Sequence, residues 1–285
     1  MVCNILDGKT FSSKIEEKIG LEVNVLQDSG IYPSLCVILV GNNPASISYV
    51  NMKVKACLRV GIKCNLIKLD DDICESMLLD IINKLNDDAS VNGVLVQLPL
   101  PNHFNKDKIL ESININKDVD GFHPYNIGLL YANMKGGLPP ATPLGVMLLL
   151  REYGICLKGK DVVIIGASNI VGKPLAAMML NEGASVSICH ILTKDITRYT
   201  LNADIICVGV GKVNLINSMM IKDGVVVVDI GINKLPSGRM VGDVNFDDVV
   251  GKSSFITPVP GGVGPMTISA LLLNTIQATK LQKQA

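Results

Sequence analysis

Short apolar runs that end in glycine or proline alternate with longer amphipathic stretches over most of this sequence, and few architectures satisfy that alternation. An amphipathic segment carrying Ile15, Ile19, Val23 and Leu26 stops at Gly30 and is followed by the apolar run Ser34 to Val40. The pattern repeats as a helix over 45–60 ending at Gly61, a strand over 62–69, a helix over 74–87, and a strand over 93–97 closed by Pro99 and Pro101. Strands joined through helices pair in parallel, because a tight hairpin has no room for a helix between its arms. Parallel sheets are covered on both faces, and a chain with 48% apolar and only 18% charged residues has the material to cover them. The expected class is α/β.

Residues 101–142 are rich in proline, glycine and asparagine and show little periodicity, which predicts a long functional loop and the junction between domains. A helix over about 143–154 then leads into DVVIIG, Asp161 to Gly166, which opens a second α/β unit extending to about residue 257. A helical stretch over 266–282 follows. Two cores are expected at 285 residues, since single cores stop growing at roughly 250–300. The expected division is 1–140 plus 266–285 in one parallel-sheet domain, with the C-terminal helix returning to it, and 141–265 in the other.

Lysine plus arginine and aspartate plus glutamate number 26 each, so there is no excess basic field of the kind that gathers nucleic acid or anionic lipid. The N-terminal residues have an early acid and no apolar core, which does not read as a signal peptide, and no apolar run reaches the roughly 18 residues of a membrane span. The eight cysteines stand singly, with no CxxC pair and no zinc-finger spacing. They are expected to be reduced, buried, small apolar residues in a cytoplasmic protein.

The string VVIIGASNIVGKPLAAMMLNEGASVSIC gives a buried strand, a glycine turn, a helix with Pro174 in its first turn, a stop at Gly183 and a second strand, which is a mononucleotide-binding βαβ half. Gly166 lets the chain turn off the strand, and the following helix offers unpaired N–H groups and a positive dipole end to a pyrophosphate. Gly172 lets helix and strand pack closely. The spacing is GxSxxxG, not GxGxxG, and a purely structural turn fits it equally well. An NAD site ordinarily places an acid at the end of the second strand, yet this one ends Cys189, His190, Ile191, which favours NADP. ADIICVGVG, Ala203 to Gly211, and GVVVVDIGIN, Gly224 to Asn233, supply two further buried strands with glycine-bearing loops, making four in one sheet. Ile232 lies just past the last of them, placed either to pack on a nicotinamide or in the core.

In the first domain, Tyr49 and Lys53 lie four apart and so share one face of their helix. A solvated lysine shielding a tyrosine would give the same pattern. Gln97 stands at the carboxyl end of strand 93–97, either facing a ligand or capping local backbone. Asp120, in KDVDGFHPYNIG, is either a site residue or the head of an Asx turn. TPVPGGVGPMT, Thr257 to Thr267, packs three prolines and three glycines into eleven residues, so its backbone can approach a ligand closely.

Taken together, SYVNMKVKAC around Lys53, VLVQLPLP around Gln97, KDVDGFHPYNIG around Asp120, GASNIVGKP, VGDV at Val241 to Val244, and ITPVPGGVGPMT resemble the bifunctional methylenetetrahydrofolate dehydrogenase/methenyltetrahydrofolate cyclohydrolase family, in order and over almost the whole chain. The resemblance implies a folate-binding catalytic domain and a Rossmann-like NADP-binding domain. It implies oxidation of 5,10-methylenetetrahydrofolate with reduction of NADP, then hydrolysis of the methenyl product to 10-formyltetrahydrofolate, with no metal and in a homodimer. By the same resemblance Lys53 is the central catalytic residue, Gln97 tunes it, Tyr49 packs on the folate, and Asp120 recognises the pterin. Ser46, Pro260 and Gly261 are expected to line the folate pocket, and Gly166, Ala167, Ser168, Ile191 and Ile232 the cofactor site. Two positions depart from the commoner pattern: Ala167, where some members have arginine, and Ile191, where many have serine or arginine. Both lie where a 2′-phosphate would be held, with Lys194 or Arg198 as substitutes.

Three rivals share parts of this reading. A dehydrogenase without hydrolase activity would not need the Tyr49, Lys53 and Gln97 set. A non-folate, amino-acid-type dehydrogenase has no use for TPVPGGVGPMT, and a non-enzymatic nucleotide-binding module has none for Lys53, Gln97 and Asp120.

Overall fold

The computed structural model describes residues 3–284. In chain order its elements are β1 (Asn4–Ile5), α1 (Gly8–Asp28), β2 (Ser34–Val40), α2 (Pro44–Val60), β3 (Lys63–Leu69), α3 (Glu75–Asp87), β4 (Gly93–Val96), α4 (Lys106–Glu111), α5 (Pro124–Tyr131) and α6 (Ala141–Glu152). They continue as β5 (Asp161–Ile165), α7 (Gly172–Asn181), β6 (Ser185–Cys189), α8 (Thr197–Thr200), β7 (Ile205–Val208), β8 (Val225–Asp229), β9 (Asn233–Lys234), β10 (Met240–Val241), α9 (Phe246–Val249), β11 (Ser253–Ile256) and α10 (Val263–Gln284). Among the described residues no helix is long and apolar enough to cross a membrane.

The chain divides into two compact units, one of residues 13–141 with 268–285, the other of the stretch ending at Ser12 with 142–267. The first holds a three-stranded parallel sheet in the order β3-β2-β4. Every residue of the central strand β2 is buried. Its alternate residues Cys36, Ile38 and Val40, with Val94 and Val96 of β4, pack against Leu78, Ile82 and Leu85 of α3, as the period-two alternation of strand side chains requires. The expected long loop over 101–142 contains two short helices, α4 and α5. Asn105 caps α4 by accepting from the Lys108 N–H, and Pro124 opens α5 behind His123, whose Nδ1 accepts from the Tyr125 N–H. Helices of one or two turns are too short to show a periodicity in sequence.

The second unit holds a six-stranded parallel sheet in the order β1-β11-β8-β7-β5-β6. Sequence reasoning found four of these strands. The two it missed are β11, four residues long, and β1, two residues long, which pairs in parallel with β11 through Asn4↔Phe255 and Ile5↔Ile256. The N-terminal strand therefore belongs to the sheet of the second unit, not to the first domain as 1–140 would have it. A strand this short has no periodicity of its own, and its partner lies some 250 residues downstream. Successive strands β5 and β6 are neighbours, then the chain passes back across β5 to β7, so the winding reverses at β5. The crevice outside the carboxyl ends of the strands at such a reversal is where open α/β sheets bind ligands.

All eight cysteines are free. Cys36, Cys57, Cys189 and Cys207 are buried as expected, whereas Cys74 and Cys156 are exposed.

One buried amide ties α10 to the loop that carries Asp120. The Nδ2 of Asn274, 2% exposed, donates to the carbonyls of Val119 at 2.8 Å and Pro139 at 2.7 Å. The Asn274→Ala variant leaves both carbonyls short of a donor, and each such group costs about 1–3 kcal/mol. Thermal unfolding is expected to show a melting temperature several degrees lower; an unchanged melting temperature would contradict this role.

Candidate active site

The helix α2 exists because its ends are well made. Asn43 Oδ1 accepts from the N–H groups of Ala45 and Ser46 at 2.9 and 3.1 Å, Pro44 occupies the first turn, and Gly61 ends the helix in the left-handed conformation at φ 79°. Its inner face buries Ser46, Val50, Lys53, Ala56, Cys57 and Val60. Lys53 is thus turned inward and only 3% exposed, which rules out the solvated-lysine reading.

Three groups meet its ammonium. Lys53 Nζ donates to Gln97 Oε1 at 3.2 Å and lies 4.9 Å from the centroid of the Tyr49 ring, and Asp120 supplies a nearby negative charge. Gln97 is held by its own strand end: its N–H continues the ladder to the Ile38 carbonyl at 2.9 Å, and Nε2 donates to the Leu98 carbonyl at 2.7 Å. One end of the Gln97 amide thus caps local backbone, as one reading had it, and the other faces the lysine. Burial pushes the Lys53 pKa below its ordinary value, with Asp120 opposing the shift. Burial pushes Asp120 up, with Lys53 opposing and Asp118 adding to it. An amine that loses its proton more easily beside a carboxyl that holds its own more tightly is an arrangement fitted to proton exchange.

Residues that sequence reasoning passed over fix the Asp120 loop. Asp118, 1% exposed, accepts from the N–H groups of Phe122 and His123 at 3.2 and 2.8 Å and from Asn126 Nδ2 at 2.9 Å. Asp118, and not Asp120, therefore heads the turn. Asn126 also donates to the Ile115 carbonyl and accepts from the Leu138 N–H. At Gly121, φ 72°, a β-carbon would collide with the Pro139–Pro140 peptide, so only glycine lets the two strands of the loop touch. The signal was present as DxDG followed by Asn126, but a buried aspartate and a surface turn read alike.

In the second unit, the parallel sheet brings the loops after β5, β6, β7, β8 and β11 to one edge. Gly166 follows β5 at φ 123°, and a β-carbon there would approach the Gly209 carbonyl after β7 to 2.6 Å, so the two loops meet at the point of reversal. A β-carbon on Gly172 would sit on the Gly166 carbonyl, confirming the close helix–strand approach expected of it. The helix terminus differs from expectation. Its N–H groups at Val171 and Gly172 are taken up by Ser168 Oγ at 3.1 and 3.4 Å, and that of Lys173 by the Ser168 carbonyl at 3.1 Å. Ser168 acts as a cap where unpaired donors were expected. Ala167 is half-buried in the same loop, and Lys173 is exposed with its Nζ held by Asn169 Oδ1 at 2.7 Å.

After β6, His190 Nδ1 accepts from the Leu192 N–H and the His190 N–H donates to Thr193 Oγ1, a tight turn that leaves Ile191 98% exposed. Lys194 and Arg198 are also exposed at this strand end, with Asp195 between them in sequence, its Oδ1 accepting from the Thr197 N–H at 2.9 Å. Ile232 after β8 is 54% exposed, which excludes simple core packing. Gly261, φ 111°, accepts from the Lys9 N–H through its carbonyl at 2.8 Å, and Pro260 is exposed beside it. Lys53, Tyr49, Gln97, Asp120 and Ser46 thus belong to the first unit, with Ser46 seven residues before Lys53 on the buried face of α2. Gly166, Ala167, Ser168, Ile191, Ile232, Pro260 and Gly261 lie along one sheet edge of the second.

Comparisons with known proteins agree with this geometry. Residues 6–120 match the model of the tetrahydrofolate dehydrogenase/cyclohydrolase catalytic domain, and residues 140–283 that of the NAD(P)-binding domain of the same family. The bifunctional protein FolD of Helicobacter hepaticus is 60% identical over 274 residues, 96% of each chain. The crystal structure of the bifunctional FolD enzyme from Campylobacter jejuni superposes with a TM-score of 0.97 at 57% identity, covering 98% of this chain and 99% of that one. A Trypanosoma brucei methylenetetrahydrofolate dehydrogenase-cyclohydrolase complexed with NADP cofactor and inhibitor gives 0.95 at 34% identity, over 99% of both chains.

The opposed shifts of Lys53 and Asp120 can be separated experimentally. Asp120→Asn removes the charge that holds the lysine pKa up, so its titration midpoint, followed by NMR of carbon-labelled lysine, is expected to fall below that of the wild type, itself below the ordinary 10.5. A midpoint that stays or rises in the variant would show that the two groups are not coupled in this sense.

Proposed function

The chain belongs to the tetrahydrofolate dehydrogenase/cyclohydrolase family, and on that premise we propose that it oxidises 5,10-methylenetetrahydrofolate with NADP and hydrolyses the methenyl product to 10-formyltetrahydrofolate, with Lys53 as the proton-handling group. The observation that carries the proposal is a lysine 3% exposed, hydrogen-bonded to Gln97, stacked on Tyr49 and charge-coupled to Asp120.

The two steps make different demands. Hydride transfer mainly needs substrate and nicotinamide aligned at close approach. Hydrolysis adds water to a cationic carbon and then opens a ring, so a proton must leave the water and a proton must reach the departing nitrogen. A buried amine with a lowered pKa serves both turns, accepting as the free base and donating as the ammonium. Gln97 Oε1 engages one N–H of Lys53 and so fixes where its remaining positions point. Tyr49 offers a ring face to the folate, and Asp120 a carboxylate to the amidine edge of the pterin through charge-assisted hydrogen bonds. Approach of the cationic methenyl group depresses the lysine pKa further, since like charges disfavour one another.

NADP, when bound, supplies the hydride acceptor. The residues that would hold it are Gly166, Ala167 and Ser168 at the point of reversal and Ile232 after β8. Ile191, together with Lys194 or Arg198, stands where the 2′-phosphate would lie. The fit rests on a turn that needs glycine and on a second strand that ends Cys189, His190, Ile191 without an acid and is followed by the exposed Lys194 and Arg198. We assign the enzyme to the cytoplasm, as a homodimer.

Replacing Lys53 by methionine keeps the length of the side chain but not its proton. Hydrolysis is expected to be lost far more completely than hydride transfer. Equal residual fractions of the two activities, or an undiminished hydrolase, would remove Lys53 from this role.

Coenzyme choice gives a second test. With no arginine at 167 or 191, discrimination rests on one or two hydrogen bonds and a partly exposed cation, about 1–2 kcal/mol. That corresponds to a roughly five- to thirtyfold preference for NADP over NAD in kcat/KM. Measured at one ionic strength, because phosphate recognition weakens with salt, an NAD value equal to or above that for NADP would refute the assignment.

A further inference from the structure

Two buried aspartates of the second unit have no part in the chemistry just described. Asp243, fully buried, accepts four hydrogen bonds: from the N–H groups of Val210 at 2.6 Å and Gly211 at 3.0 Å on Oδ2, and from the Lys212 N–H at 2.9 Å and Asn233 Nδ2 at 2.8 Å on Oδ1. Asp229, 3% exposed, accepts from the N–H groups of Gly231 at 2.9 Å, Asp243 at 3.0 Å and Val244 at 2.9 Å. All seven donors are backbone N–H groups or an amide, so these carboxylates serve as knots for backbone. The knots are tight: a β-carbon on Gly231 would collide with the Asp243 carboxylate, and one on Gly242 with that of Asp229.

What the knots hold is instructive. The loop after β7 runs through Val210, and the loop after β8 through Ile232, both at the carboxyl edge of the sheet. Val210 is 44% and Ile232 54% exposed, although each is branched and apolar and its backbone is clamped. Val210 donates its own N–H to Asp243. Ile232 lies between Gly231, bound to Asp229, and Asn233, bound to Asp243 and to the Gly242 carbonyl at 3.2 Å. Apolar side chains kept out of the core by a buried, fully bonded carboxylate on rigid backbone form a ledge for a flat partner.

We propose that Asp243 is a positioning residue of the dinucleotide site, holding Val210 and Ile232 as an apolar ledge for the nicotinamide end of the cofactor, with Asp229 fixing Asp243 in turn. The proposal rests on the assignment of Ile232 to that site. An aspartate is required because one group must accept four donors from two loops, and only a carboxylate offers that many lone pairs without a hydrogen of its own.

The chain's two activities supply an internal control, because hydrolysis of the methenyl substrate can be assayed without dinucleotide. Asn233→Ala cuts the tether between Asp243 and the Ile232 loop and leaves the buried carboxylate in place. It is expected to raise the KM for NADP about five- to tenfold, while hydrolase kcat/KM stays within about twofold of wild type. Ile232→Ala should raise the same KM, and the double variant should be no worse than the more impaired single one, since both remove the same ledge. If Ile232→Ala is silent, the assignment of Ile232 fails. If Ile232→Ala raises the KM and Asn233→Ala does not, or if the two effects multiply, the assignment stands and the positioning role of Asp243 is overturned. Asp243→Asn, which turns one acceptor into a donor facing N–H groups, should raise the KM further. A variant of it that folds with normal KM also overturns the proposal.

Discussion

A lysine ammonium removed from water forfeits several kcal/mol of solvation unless other groups replace it, and the first unit is arranged around replacing part of it for Lys53. Gln97 gives a carbonyl oxygen, Tyr49 a ring face and Asp120 a charge. None of the three can be placed independently of the fold. Gln97 reaches the lysine because β4 ends where it does and Leu98 takes the other end of its amide. Asp120 is held beside the lysine because Asp118 gathers the turn and Asn274 ties the loop down from α10. The replacement is incomplete, and that incompleteness is what leaves the amine easier to deprotonate than a surface lysine.

The second unit meets the opposite problem by a related means. Loops at the edge of a sheet tend to be mobile, while a dinucleotide demands fixed contacts. Here buried carboxylates are satisfied by six backbone N–H groups and the Asn233 amide. Desolvation still pushes Asp229 up to about 6, so even three N–H donors do not fully offset its removal from water. Asp229 and Asp243 thus give up carboxylate hydration in exchange for rigid loops.

Much of this was legible in the sequence, and the reasons differ from case to case. Helix α2 could be read because its pattern stops at Gly61, and the four-residue spacing of Tyr49 and Lys53 then set both on one face. That this face turns inward could not be read from spacing, because a lysine contributes to either pattern. The strands β5, β7 and β8 announced themselves as runs of Val and Ile, but β1 and β11 are too short to do so: β1 acquires strand geometry only from β11, and β11 pairs on its other side with β8. Ser168 read as part of a GxSxxxG turn lining the cofactor site, while in the fold its Oγ takes up the N–H groups that open the helix. Nothing in the local sequence set Asp118, Asp229 and Asp243 apart, and of the three only Asp243 has a glycine beside it. What distinguishes them is burial, which depends on residues far away in sequence.

The tie between Asn274 and the Asp120 loop has a bearing on how such a chain is made. Asn274 lies 155 residues after Val119, and Gln282 reaches back 190 residues to the Asn92 carbonyl. In the other unit, β1 waits for β11 before it has a partner. During synthesis at roughly 5–20 residues per second, each unit therefore spends several seconds with a segment already emerged and its closing piece not yet translated. Neither unit can complete its fold first while the other is being built; both close near the same moment, late in translation.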